Sequence, residues 1–93
     1  SDETLTQLRT RIDQVDADLV RLLAQRFEVT DLVGLHKAAN GLPPADHTRE
    51  AELMARIRPS AADAGIDPAF CEQLFRLIVD EVVRRHLLIA ERA

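Results

Sequence analysis

The chain has 93 residues, 46% hydrophobic and 3% aromatic with no Trp or Tyr, and a formal net charge of −4. That length makes one domain, residues 1–93, or one protomer of a small assembly, and its core must be filled by Leu, Val, Ile and Ala. The acidic balance and the lack of stacking aromatics exclude nucleic acid as the main partner, so any anion site is a local basic pocket in an acidic protein.

The first predicted element is a helix from about Thr4 to Asn40, a stretch without Pro in which Gly34 is the only Gly. Leu5, Leu8, Ile12, Val15, Leu19, Leu22, Val29 and Val33 follow a 3-4 spacing, which draws one apolar seam along a helix. That seam calls for an apolar residue at position 26, and the sequence has Arg26. A charge in such a place must snorkel to water, pair with a carboxylate, or hold an anionic ligand. Lys37 follows 11 residues later and returns to within roughly 20° of the Arg26 direction, so two cations share a face. Arg9, 17 residues before Arg26, points roughly 100° away and about 25 Å off, and any pocket it serves belongs to a different neighbour.

Gly41-Leu42-Pro43-Pro44 breaks the first helix. A second helix is predicted from Asp46 or Thr48, either of which could cap it, to Ala64, with Gly65 as its stop. Its stripe is Leu53, Met54, Ile57, Ala61 and Ala64, and Glu50 extends that stripe at the N-terminal end. His47, Arg49 and Glu50 there form either an ordinary solvated capping turn or part of an anion site, since a helix start favours negative charge.

Asp67-Pro68 opens a third helix, with Asp as N-cap and Pro in the first turn. Phe70, Leu74, Phe75, Leu77, Ile78, Val82 and Ile89 supply its apolar face. His86 continues that line, either as a satisfied core residue or as a polar group in a site. Arg84-Arg85 reads as a solvated face or a partner contact.

His36 and His47 lack a second histidine at ligand spacing, so no metal site is expected, and no cofactor motif appears. Cys71 stands alone, which rules out an intramolecular disulfide and points to a cytoplasmic protein. No apolar run approaches the ~20 residues of a membrane span. The fold class is all-α, a three-helix chain with a long first helix. At 1.5 Å per residue that helix runs roughly 54 Å, more than two shorter helices can cover, so a second copy is expected on the seam as an intertwined or antiparallel homodimer.

Leu8-Arg9-x-x-Ile12-Asp13-x-x-Asp16, Leu22-Leu23-Ala24-x-Arg26, Val33-Gly34-x-x-Lys37 and Asp46-x-x-Arg49-Glu50 together resemble the all-α chorismate mutase family, from about Leu5 to His86. The resemblance implies an intertwined homodimer with two sites shared between subunits, and an isomerase that rearranges chorismate to prephenate on the way to Phe and Tyr. It implies that Arg26 and the second subunit's copy of Arg9 clamp the two carboxylates of this dianionic substrate. Lys37 then donates to the ether oxygen, Arg49 adds positive charge, and Glu50 and the backbone around Asp46 hold the ring hydroxyl. Two positions depart from the family pattern, which has Ser and Gln where this chain has Val82 and His86. Val82 is expected to weaken the hold on the ring carboxylate. His86 can replace the Gln as donor to the ether oxygen and is expected to make catalysis depend on pH between about 5 and 8.

Such a reaction needs no nucleophile, metal or proton relay, which agrees with the absence of those motifs. Isochorismate pyruvate lyases and 4-amino-4-deoxychorismate mutases are similar in fold, and Glu50, facing a substrate hydroxyl, favours the chorismate mutase reading over them. A non-catalytic helical interaction module is the alternative of another class. Some small relatives are activated by the first enzyme of the shikimate pathway, which makes Arg84, Arg85 and Ala90-Glu91-Arg92-Ala93 candidate partner contacts.

Overall fold

The computed structural model describes residues 3–93. Among them are three α-helices and no strand: α1 (Leu5–Ala39), α2 (His47–Asp63) and α3 (Pro68–Arg92). The chain divides into two units, one ending at Thr30 and one running from Asp31 to Ala93.

The first unit is the N-terminal part of α1. A reciprocal cap starts it: Gln7 N–H donates to Thr4 Oγ1 at 3.2 Å, and Thr4 N–H donates to Gln7 Oε1 at 2.8 Å. Two of the orphan donors of a helix start are thereby satisfied. The apolar seam is present and uncovered within the chain. Leu5, Ile12, Val15, Leu19, Leu22 and Val29 are each more than half exposed.

The second unit holds the end of α1, then α2 and α3. Two of its turns are built alike, by glycines in the left-handed region. After α1, Gly41 has φ 65°, Leu42 N–H donates to Lys37 O at 2.9 Å and Gly41 N–H to Ala38 O at 3.5 Å. After α2, Gly65 has φ 76°, Ile66 N–H donates to Ala61 O at 2.8 Å and Gly65 N–H to Ala62 O at 3.0 Å. Both are the paired 6→1 and 5→2 closures that finish a helix when a residue without Cβ takes positive φ. Asp46, not Thr48, caps α2 by accepting from Arg49 N–H at 3.1 Å. Asp67 caps α3 by accepting from Ala69 N–H at 3.1 Å, with Pro68 in the first turn.

The helices α2 and α3 pack on one another. Met54 and Ala61 of α2 and Ile78 and Val79 of α3 are the buried apolar residues. The sequence pattern misplaces parts of this core. Ala64 is the C-cap of α2 and exposed, Phe70, Leu74 and Leu77 of α3 are exposed, and Val79 is buried instead. The hydrophobic arc on α3 is wider than the strip α2 covers, so periodicity locates the face without fixing its centre. On α2 the helix also runs through Pro59, whose missing N–H the pattern does not register.

An ion network ties α3 to the end of α1. Arg85 Nη1 reaches Asp31 Oδ2 at 3.1 Å and its Nε reaches Glu81 Oε2 at 2.9 Å. Arg84 forks onto both oxygens of Glu81 at 2.8 Å. Hydrogen bonds from Arg84 and then Arg85 pull the Glu81 carboxyl from its ordinary 4.5 down to about 2. A depressed carboxyl contributes stability above its unfolded value and loses it as pH falls through the folded one. Glu81→Gln should therefore lower the melting temperature at neutral pH. The gap from the parent chain should narrow below 4.5 and close near pH 2, measured by thermal melts across that range.

Candidate active site

The last turn of α1 carries Lys37, half-buried. Its Nζ donates to the Pro44 carbonyl at 3.0 Å and lies 3.3 Å from His86 Nδ1. That same Nδ1 is 3.3 Å from the Pro44 oxygen. An ammonium can only donate, so Nδ1 accepts from Lys37 in the tautomer protonated at Nε2, whereas in the tautomer protonated at Nδ1 it donates to the Pro44 oxygen. A protonated ring would donate from Nδ1 to Pro44 O and could no longer accept from Lys37.

His86 is the one polar residue among the described residues that is buried, at 3% exposure. It is therefore a satisfied core histidine in its surroundings and a polar neighbour of Lys37 in its chemistry. Val82 lies one turn before it on α3, half-buried. An aliphatic side chain there offers no hydrogen bond to a ligand.

The start of α2 brings Asp46, Arg49 and Glu50 into one turn. The Asp46 carboxylate is occupied in capping. Arg49 is exposed and lies 3.9 Å from Glu52. Glu50 keeps 22% of its side chain exposed, with the His47 ring 3.8 Å away, and it is placed to accept from a hydroxyl or an ammonium. Free N–H groups at this helix start add a donor surface for oxygen ligands.

The second unit thus brings Lys37 and His86 together and gathers Asp46, Arg49 and Glu50 on one helix turn. Arg26 and Arg9 lie on the first unit, Arg26 half-buried and Arg9 exposed. Three features escaped the sequence pattern. The Pro44 carbonyl is a backbone acceptor and carries no side-chain signature. Gly34, the buried residue of α1, stood in the Val33-Gly34-x-x-Lys37 motif without a packing role. Arg85, read with Arg84 as a solvated face, instead bridges Asp31 and Glu81. Among the described residues, no cluster of three or more His, Cys, Asp or Glu side chains could hold a metal ion, and no helix is long and apolar enough to cross a membrane.

Comparison with known proteins bears on this cluster. The family described as chorismate mutase type II matches residues 8–87. The chain is 40% identical to the T-protein of Enterobacter agglomerans over 77 residues, which is 83% of this chain and 21% of that protein. It is 34% identical to the 4-amino-4-deoxychorismate mutase of Streptomyces pristinaespiralis over 82 residues, 88% of this chain and 64% of that one. It is 27% identical to the chorismate mutase of Methanocaldococcus jannaschii, across 84% of this chain and 79% of the archaeal one. The chain thus spans about a fifth of the T-protein and just under two thirds of the Streptomyces enzyme. With the match running from the first turns of α1 to within a few residues of the end of α3, the chain belongs to the chorismate mutase type II family.

Proposed function

We propose that this chain rearranges chorismate to prephenate, and that Lys37, held beside His86, acts on the ether oxygen of the breaking C–O bond. The observation that carries the reading is the part-buried Lys37–His86–Pro44 cluster. The Lys37 ammonium is a donor suited to a single oxygen gaining negative charge, partial burial strengthens its effect, and His86 Nδ1 at 3.3 Å helps hold it in place. The reaction is unimolecular: one C–O bond breaks as one C–C bond forms, and no proton or electron leaves the substrate. What the protein supplies is a folded conformer and charge stabilisation.

In this reading Arg26 and Arg9 bind carboxylates through bidentate forks, and Arg49 adds positive potential. Glu50 accepts from the ring hydroxyl beside the Asp46 backbone. Val82 removes a hydroxyl from the ring-carboxylate end and so weakens substrate binding. A second copy of the chain covers the exposed seam of α1 and contributes its Arg9. The support is the apolar ridge itself, Leu5 to Val29, which no side chain of a single chain buries to the level of Met54 or Ala61.

The nearest alternative substrate is 4-amino-4-deoxychorismate, because a relative with that activity in its name shares 34% identity and a carboxylate such as Glu50 would also receive an ammonium. Incubation with chorismate, isochorismate and aminodeoxychorismate, followed by product identification, decides between them. Prephenate from chorismate is the expected result. Turnover of only the amino substrate, or pyruvate release, would replace the reading.

Lys37→Ala should lower kcat about 100-fold or more with the fold retained, the scale seen when one charge-stabilising donor is removed. Sedimentation of the purified chain should give a dimer, and a dilute monomer should be inactive. His86→Ala should lower kcat by loosening Lys37, and unchanged turnover would remove His86 from the chemistry.

A further inference from the structure

Gly34 is the buried residue of α1, and the space it leaves is occupied by the His86 ring. A Cβ built at position 34 would stand 2.6 Å from His86 Cδ2, 3.1 Å from Nε2 and 3.0 Å from Ile89 Cδ1. Gly34 lies in a helix with ordinary negative φ, so backbone conformation does not call for glycine there. The requirement is space, and the atom nearest to claiming it belongs to the imidazole.

We infer that Gly34 is a positioning residue for His86: its bare Cα face seats one edge of the ring so that the other edge meets Lys37 and Pro44. The inference rests on the proposed role of Lys37 and His86. Gly34 and Lys37 are three residues apart and so share one side of α1, one turn from each other. The ring enters from α3 and is held between them, Cδ2 against Gly34 and Nδ1 at 3.3 Å from both Lys37 Nζ and Pro44 O. Ordinary contact between carbons is about 3.5–4.0 Å, so a methyl at 34 displaces the ring by about 1 Å. Pushed from its Cδ2 edge toward partners already at 3.3 Å, the ring would have to turn or slide out of line with Lys37 Nζ and Pro44 O. A glutamine at 86 would have no rigid ring edge, and its flexible amide could retreat from the methyl while still reaching Lys37. The residue allowed at 34 is therefore coupled to the residue present at 86.

The test uses the full chain with Gly34→Ala, His86→Gln, the double variant G34A/H86Q, and a second double variant G34A/I89V. In G34A, nitrogen NMR of the His86 side chain should show loss of the parent ring-nitrogen shifts, a readout that needs no turnover. Its kcat on chorismate should fall at least about tenfold with KM changed less than about threefold, the split expected when a transition-state contact is lost. G34A/H86Q should return to within about threefold of H86Q alone, and G34A/I89V should stay impaired, the non-additivity expected of residues in contact. Should G34A fail to fold, recovery of fold in G34A/H86Q but not in G34A/I89V supports the inference equally. Recovery in G34A/I89V instead, recovery in neither, or unchanged His86 shifts in G34A would overturn it. A parent chain inactive on chorismate would overturn the proposed reaction while the NMR comparison still decides the seating of His86.

Discussion

A long helix with more apolar seam than its own chain can bury is the constraint from which the rest follows. The residues from Leu5 to Val29 that repeat at 3-4 spacing stay exposed in the single chain, and burial of such side chains is worth roughly 1.5–3 kcal/mol each. The buried apolar set of one chain is small, Met54, Ala61, Ile78 and Val79, and a chain of this length gains little stability from a core that size. That exposed ridge is what supports the proposed second copy of the chain. The capping at Thr4 and Gln7 supports α1 locally at its start, since isolated helical segments without tertiary cover depend on such end contacts.

From Asp31 onward the problem changes from covering apolar surface to holding charge in a half-buried place. Lys37 and His86 come from elements that meet at the end of α1, and their mutual contact exists only while α3 keeps its register. Arg85, the residue before His86, fixes that register through Asp31 on α1, while Glu81 holds Arg85 and Arg84 from within α3. Exposed ion pairs contribute little by themselves. This network is partly sheltered and joins two elements, so its main consequence is geometric: it sets where the imidazole lies along α1.

The ends of the helices were legible because each depends on one residue type with a local reason. Gly41 and Gly65 take positive φ, and Asp46 and Asp67 present a carboxylate to the first free N–H groups. Arg26 and Lys37 were legible as cations interrupting an apolar pattern. The exact core of α3 was not, because an arc of Leu, Ile, Val and Phe wider than its partner leaves the covered strip to be chosen by packing. That choice buried Val79 and left Leu74 and Leu77 outside. The acceptor that Lys37 shares with His86 was beyond any pattern of side chains, being the Pro44 carbonyl. The Arg85–Asp31 pair, 54 residues apart in the chain, had no local signal either, and two adjacent arginines read more simply as solvated.

The pairing of Gly34 with His86 links these observations to chemistry. A reaction that depends on charge stabilisation without nucleophile or metal is sensitive to where each donor stands, because electrostatic stabilisation acts only if the donors are already aimed at the oxygen that gains charge. A histidine brings a rigid ring to a position where the related pattern has a flexible amide, and rigidity helps only if space exists for both edges of the ring. At Gly34 that space is the missing Cβ, and at Lys37 and Pro44 it is filled by hydrogen-bond partners. The space for the histidine on α3 is thus left by Gly34 on α1, one turn before Lys37. Val82, one turn earlier on α3, brings no hydrogen-bonding group of its own.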